Sequence, residues 1–248
     1  MAGCGGTSSE RLVARTPEPP ARVKAWQDFL AFVDRHALSY WIFRGVGDAD
    51  RHLLIPKVGR DGKSYDPARE RIIFDNFCRR ARQFAELGGH GAWDQLALAQ
   101  HHGLPTRLLD WTTNPLVAGF FAVSSQPEAG VARIYATRAP RVIDVVREPD
   151  PFAVTEVGVV KPGAVTTRIV SQRGFFTVHP APTEPWQPDH AADPAHRFDI
   201  APEHRSFFRR RLFYLGLDPA HIKADLDGVC ETLAWQFSRG IAVGRFNY

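Results

Sequence analysis

Three cysteines stand in 248 residues, and Cys4, Cys78 and Cys230 share no metal-ligand spacing. An odd, sparse set excludes a disulfide framework and a zinc cluster, and it points to reduced thiols. No apolar run nears the roughly 20 residues that a membrane helix requires. Cys4 sits in Met1-Ala2-Gly3-Cys4-Gly5-Gly6, but neither a basic nor an apolar segment precedes it, so no signal peptide is read there. The expectation is a cytoplasmic chain with no membrane partner. Charge of one sign is also scarce. The 31 Lys and Arg against 27 Asp and Glu leave +4, too little to indicate nucleic acid by itself. No internal repeat is visible.

What is present is a core. The hydrophobic fraction is 44%, with 17 Phe and 6 Trp, which favours a globular chain over a disordered one. Residues 1–20, rich in Gly, Ser, Thr and Pro, read as a flexible segment, and residues 21–248 as one domain. Helical spacing marks 23–37 and 68–87, the latter with Ile72, Ile73, Phe77, Ala81 and Phe84 on one face. The aromatic run from Tyr40 to Phe43 reads as a buried strand ending at Arg44 and Gly45. Further strands are expected at 131–137 and 142–146, and at 168–178 with a bulge or turn at Gly174. Residues 180–203 read as a surface excursion, Arg209-Arg210-Arg211 as an exposed basic helix face, and 218–236 as a last helix. Helical and strand patterns that alternate imply an α/β fold of the mixed α+β kind: one domain, with small mixed or antiparallel sheets flanked by helices.

The stretch Gln95–Val123 concentrates the chemistry. An apolar helical arm stops at His101-His102-Gly103, where Gly103 can supply positive φ and Pro105 cannot continue a helix. Arg107, Asp110, Thr112, Thr113 and Asn114 follow, interrupted by Leu108, Leu109 and Trp111. Asn114-Pro115 then opens a second apolar helix, Asn as cap and Pro as first-turn residue. Polar groups between two buried helices, beside a helix N-terminus, suit an anion. The plainer alternative is an Arg107–Asp110 ion pair that shapes a turn, with Trp111 in the core.

These residues resemble the FRG domain family. Phe43-Arg44-Gly45 is the aromatic-Arg-Gly motif, and Gln100-His101-His102-Gly103-Leu104-Pro105-Thr106-Arg107-Leu108-Leu109-Asp110-Trp111-Thr112, followed by Asn114-Pro115 and Ala118, matches the second signature. Arg168, Ile169, Gln172, Gly174 and Phe176 match a third, and Asp225 to Gly228 a fourth. More remotely, the pattern is similar to ADP-ribosyltransferase-like folds. Those enzymes carry an Arg or His on an early strand, a Ser/Thr-rich strand running into a packed helix, and a Glu on a late strand. That resemblance implies NAD as substrate, with a protein or nucleic acid as acceptor. It implies Arg44 on the phosphate or ribose side and Thr112 and Thr113 near the nicotinamide, with Gly45, Thr106, Arg107 and Asn114 also among the cofactor-binding residues. The late strand carries Gln172 where a Glu is wanted, which leaves Asp110 as the best stabilising anion, ahead of Glu231 and Glu203, and Gln172 as an acceptor-orienting amide.

Two other readings stay open. A non-catalytic nucleic-acid or nucleotide binding module would use Arg44, Arg107, Arg168 and Arg173 on phosphates and Trp111 or Tyr40 for stacking. A metal-free hydrolase would use His101 as general base, although a lone His pair is more often structural.

Overall fold

The computed structural model describes residues 20–84, 90–124, 130–163, 174–190 and 193–241. Six strands form one sheet in the order β4-β5-β2-β1-β3-β6, with every neighbouring pair antiparallel. The strands are β1 (Trp41–Val46), β2 (Leu108–Thr112), β3 (Ala132–Arg138), β4 (Gly158–Val160), β5 (Gly174–Val178) and β6 (Arg197–Ile200). Among the described residues seven α-helices accompany them: α1 (Ala21–Arg35), α2 (Pro67–Ala81), α3 (Ala92–His101), α4 (Pro115–Ser124), α5 (Arg205–Tyr214), α6 (Pro219–Lys223) and α7 (Leu226–Arg239). This is the mixed α+β architecture, with the sheet wholly antiparallel.

Side chains alternate across a strand, so β1 divides its residues between two environments. Trp41 and Phe43 pack with Phe29, Phe32, Val117, Phe120, Phe208 and Leu212 of α1, α4 and α5. Ile42 and Val46 join Leu109 and Trp111 of β2 in a second cluster, capped by Leu54 and Trp186. Leu108 turns instead towards Phe74 of α2 and Trp93 and Leu96 of α3. Two helical groups thus cover different parts of the sheet, α1/α4/α5 on one part and α2/α3 on the other.

α4 lies unusually close to β1, and Gly45 is the reason. A Cβ there would stand 1.8 Å from the Ala118 carbonyl oxygen. Asn114 caps α4 by accepting from the Leu116 amide at 2.9 Å, and Thr112 Oγ1 accepts from the Asn114 amide at 3.0 Å. At the other arm, Gly103 takes φ +91°. Its amide reaches the Gln100 carbonyl while Leu104 N reaches that of Ala99, a Schellman ending for α3.

Several expectations are corrected. Helix α2 buries Glu70 and Phe74, whereas Ile72, Ile73 and Phe84 are exposed; the buried face was chosen by a charged residue with a buried partner. Residues 142–146 form no strand. Val142 makes one isolated bridge to Val159, and Asp144 then turns the chain by accepting from the amides of Val146 and Arg147. Gly174 pairs opposite Thr112 within β5, in regular register with Phe175 opposite Trp111, and the strand expected before it lies outside the described residues. Residues 180–203 are more than a surface excursion, since Trp186 enters the second cluster and β6 joins the sheet. The last helix is two, because Ala224 turns at φ 53° and Asp225 caps a new start through the Gly228 amide. The resembling segment 168–173, the reading of residues 1–19 as flexible, and Cys4 lie outside the described residues.

Candidate functional site

β1 and β2 share one register pair, Phe43 opposite Thr112. Beyond it Arg44 makes the connection: its Nη1 donates to the Asp110 carbonyl at 2.6 Å and stands 3.5 Å from the Asp110 carboxylate. The Arg44 side chain is 14% exposed and that of Asp110 63%, so a nearly buried cation is paired with an open anion. From α3, Gln100 Nε2 donates to Asp110 Oδ1 at 2.9 Å. Its Oε1 accepts from the Thr106 hydroxyl, and Thr106 Oγ1 in turn accepts from the Leu108 amide. A carboxylate only accepts, so the Gln100 amide can face one way alone, and Thr106 holds it there.

These groups border a cavity of about 220 Å³ lined by Arg44, Lys57, Arg60, Gln100, Asp110 and three leucines. Lys57 and Arg60 come from the loop before α2, where Lys57 Nζ donates to the Gly103 carbonyl and Arg60 Nε to that of Ile55. Three cations therefore face one carboxylate. Burial pushes the Arg44 guanidinium pKa below its ordinary value and Arg60 adds to the push, while Asp110 opposes both. A cavity with surplus positive charge and room inside it takes an anion.

Arg107 lies elsewhere. Its Nε and Nη2 clasp Glu70 at 3.1 and 2.6 Å with both side chains 5% exposed or less. Tyr65 Oη donates to the same carboxylate at 2.9 Å, and the Phe152 ring lies 4.7 Å from the guanidinium carbon. The expected Arg107–Asp110 pair does not form, because Glu70 reaches Arg107 from α2.

The remaining sequence-derived residues divide in the same way. Gly45 lies against α4, Thr112 is buried, Asn114 caps its own helix and Thr113 is exposed at the turn. His101 stacks edge-on with His102 at the end of α3 and does not line the cavity. Gln172 lies outside the described residues, and Gly174, two positions on, stands opposite Thr112. Trp111, offered for stacking, is 2% exposed. Among the described residues no group of three or more His, Cys, Asp or Glu could hold a metal ion, and no helix is long and apolar enough to cross a membrane.

Sequence reasoning missed Lys57, Arg60, Glu70 and His179. The first two sit in a loop without periodicity, and Glu70 on a helix whose apolar pattern pointed the other way. His179 belongs to a buried chain. Trp111 Nε1 donates to Thr177 Oγ1 at 2.9 Å, and the same hydroxyl shares a hydrogen bond with His179 Nε2 at 2.8 Å, its direction set by the imidazole tautomer. Burial first, and the charge of Arg44 second, lower the His179 pKa to about 3.

The class defined by this geometry is an antiparallel α+β domain with a cation-lined cavity beside its central strand. Residues 39–130 match the FRG domain model, a span that contains β1, α2, α3, β2 and α4 and therefore Arg44, Lys57, Arg60, Gln100 and Asp110. No curated protein and no solved structure matches the chain.

Proposed function

We propose that this chain is an NAD-dependent ADP-ribosyltransferase-like enzyme acting on a macromolecular acceptor, protein or nucleic acid. One observation carries the reading: β1 with Arg44, β2 with Asp110 and Thr112, and the start of β5 are three neighbouring strands, beside a cation-lined cavity. Early-strand Arg, Thr-bearing strand running into a packed helix, and late strand are the three parts that such enzymes bring together. The cavity suits a pyrophosphate, and the rest of a dinucleotide would lie along the open surface.

In this reading Arg44, Lys57 and Arg60 bind the pyrophosphate by charge-assisted hydrogen bonds. The bond from the ribose C1′ to the nicotinamide nitrogen breaks with its electron pair leaving on nicotinamide. The exposed Asp110 carboxylate stabilises the oxocarbenium charge that develops at C1′. An acceptor oxygen or nitrogen then bonds to C1′ and gives its proton to solvent. Gln100 and Thr106 keep the Asp110 carboxylate aimed.

The second reading is a nucleotide-binding module without cleavage. It is favoured by the hold that Arg44 and Gln100 already have on Asp110, which offsets part of the charge catalysis would use. Calorimetry with NAD and an assay for released nicotinamide separate the two. Binding with release supports the enzyme, and binding without release the module. No binding at millimolar NAD, with no release when protein, RNA and DNA acceptors are present, overturns the NAD reading.

A further inference from the structure

A second basic surface lies away from the Arg44 cavity, on α5 and the end of α7. Helix α5 carries Arg205, Arg209, Arg210 and Arg211 and no acid, and Leu233–Arg239, the last two turns of α7, contain none either. Arg205 is fully buried, donating to the carbonyls of Gly47 and Ala122, so it belongs to the fold. The others face outward. Ser206, Arg209, Arg210, Trp235, Arg239 and Ile241 line a depression of about 150 Å³. Arg210, Arg211 and Arg239 are exposed, and no ion pair among the described residues engages them.

Aromatic rings are interleaved with these cations. The Arg209 guanidinium lies 5.1 Å over the Trp235 ring, and Arg211 and Arg22 of α1 lie 5.2 and 5.6 Å over Phe207. Tyr214, at the end of α5, is 64% exposed. An acidic protein segment would be satisfied by the charges alone. Rings and guanidinium planes set among phosphate-binding cations fit a chain that alternates phosphates with flat bases.

We propose that the face formed by α5, the end of α7 and Arg22 binds single-stranded nucleic acid. Backbone phosphates lie on Arg210 and Arg239 with the Ser206 hydroxyl, and unpaired bases stack on the guanidinium planes that Trp235 and Phe207 hold flat. The surface is separate from the cavity, so it stands whether or not that cavity cleaves NAD. Where cleavage does occur, it would hold a nucleic-acid acceptor.

The test is fluorescence anisotropy of the full chain with a labelled single-stranded RNA or DNA oligonucleotide, across a salt series. The wild type is expected to bind with affinity that falls as salt rises, and to prefer the single strand to a duplex of the same sequence. Arg210→Ala with Arg239→Ala should weaken binding about tenfold or more and flatten the salt slope by roughly 1.4, about 0.7 for each lost phosphate contact. Trp235→Leu should weaken binding with the slope unchanged, as removal of a stacking platform does. Arg44→Lys should leave oligonucleotide affinity unchanged. Circular dichroism and melting confirm that each variant is folded, and the wild-type salt slope serves as a readout that needs no variant. Absence of binding at low salt overturns the proposal. So does equal binding by the double variant, or capture of poly-glutamate or anionic vesicles in preference to the oligonucleotide.

Discussion

Two arginines, one within β1 and one just before β2, form ion pairs that do opposite things. Arg107 and Glu70 are sealed between α2, β2 and Phe152, each 5% exposed or less. Arg44 meets an Asp110 whose side chain is 63% open to water, at the edge of a cavity with two further cations. A buried pair of good geometry cannot lose one partner without stranding the other charge, whereas an exposed carboxylate can be neutralised at little cost. The difference separates a sealed pair from one open to water, although Arg107 and Asp110 belong to the same signature segment.

The comparison is broken most directly at the buried pair. Glu70→Ala, or Arg107→Ala, should cost about 3–5 kcal/mol and be seen as a large fall in melting temperature. A small fall would mean that water reaches this pair and that the two sites are alike. Phe120→Ala should cost a similar 3–5 kcal/mol, since it opens a void beneath β1.

Acid offers a second way in. The His179 pKa is lowered from 6.5 to about 3 by burial, then by Arg44. A group held neutral in the folded state contributes stability that is whole above pH 6.5. That stability is lost as pH falls from 6.5 towards about 3, because the unfolded chain takes up the proton first. At about 1.4 kcal/mol per pH unit the loss reaches roughly 3 kcal/mol by pH 4. His36 and His196, linked Nε2 to Nδ1 at 2.9 Å, are also lowered by burial and add in the same sense. His179→Gln should flatten the melting profile between pH 7 and 4 relative to wild type. An unchanged profile would place the acid sensitivity elsewhere.

At the open pair the expected effects divide. Asp110→Asn should change stability by less than about 1 kcal/mol and keep NAD affinity within a few fold. It should cut nicotinamide release by about 10²–10³, the loss that follows removal of one transition-state electrostatic partner. A joint fall in stability and binding would make Asp110 a second structural residue and erase the contrast. Smallest of all, Ile72→Ser on the exposed face of α2 should leave stability within about 0.5 kcal/mol. A larger loss would show that this face is covered.

Much of the frame was legible in the sequence. The helix of α1, the aromatic strand before Arg44 and the Asn-Pro start of α4 each rest on local rules of spacing, capping and fixed φ. The glycine ending of α3 rests on the same rules, which act through neighbours in the chain. Phe43-Arg44-Gly45 could be seen as a motif but not divided. The fold sends Phe43 to the core, Arg44 to the cavity and Gly45 against the Ala118 carbonyl, because alternation assigns faces only once a partner layer exists. The choice of ion-pair partner was beyond local reading. Arg107 and Asp110 lie three apart, but Arg107 stands just before β2 and Glu70, 37 residues away, takes it. The same holds for Lys57 and Arg60, which carry no periodic signal and gain meaning only where the loop before α2 crosses Arg44. Sequence alone determined the helices α1 and α4 and the strand β1, and it marked 100–114 as the stretch densest in hydrogen-bonding side chains, but it did not mark β2, β4 or β6 as strands. The tertiary structure decided which charges are buried and which stay free, because desolvation and charge pairing depend on residues brought together from afar.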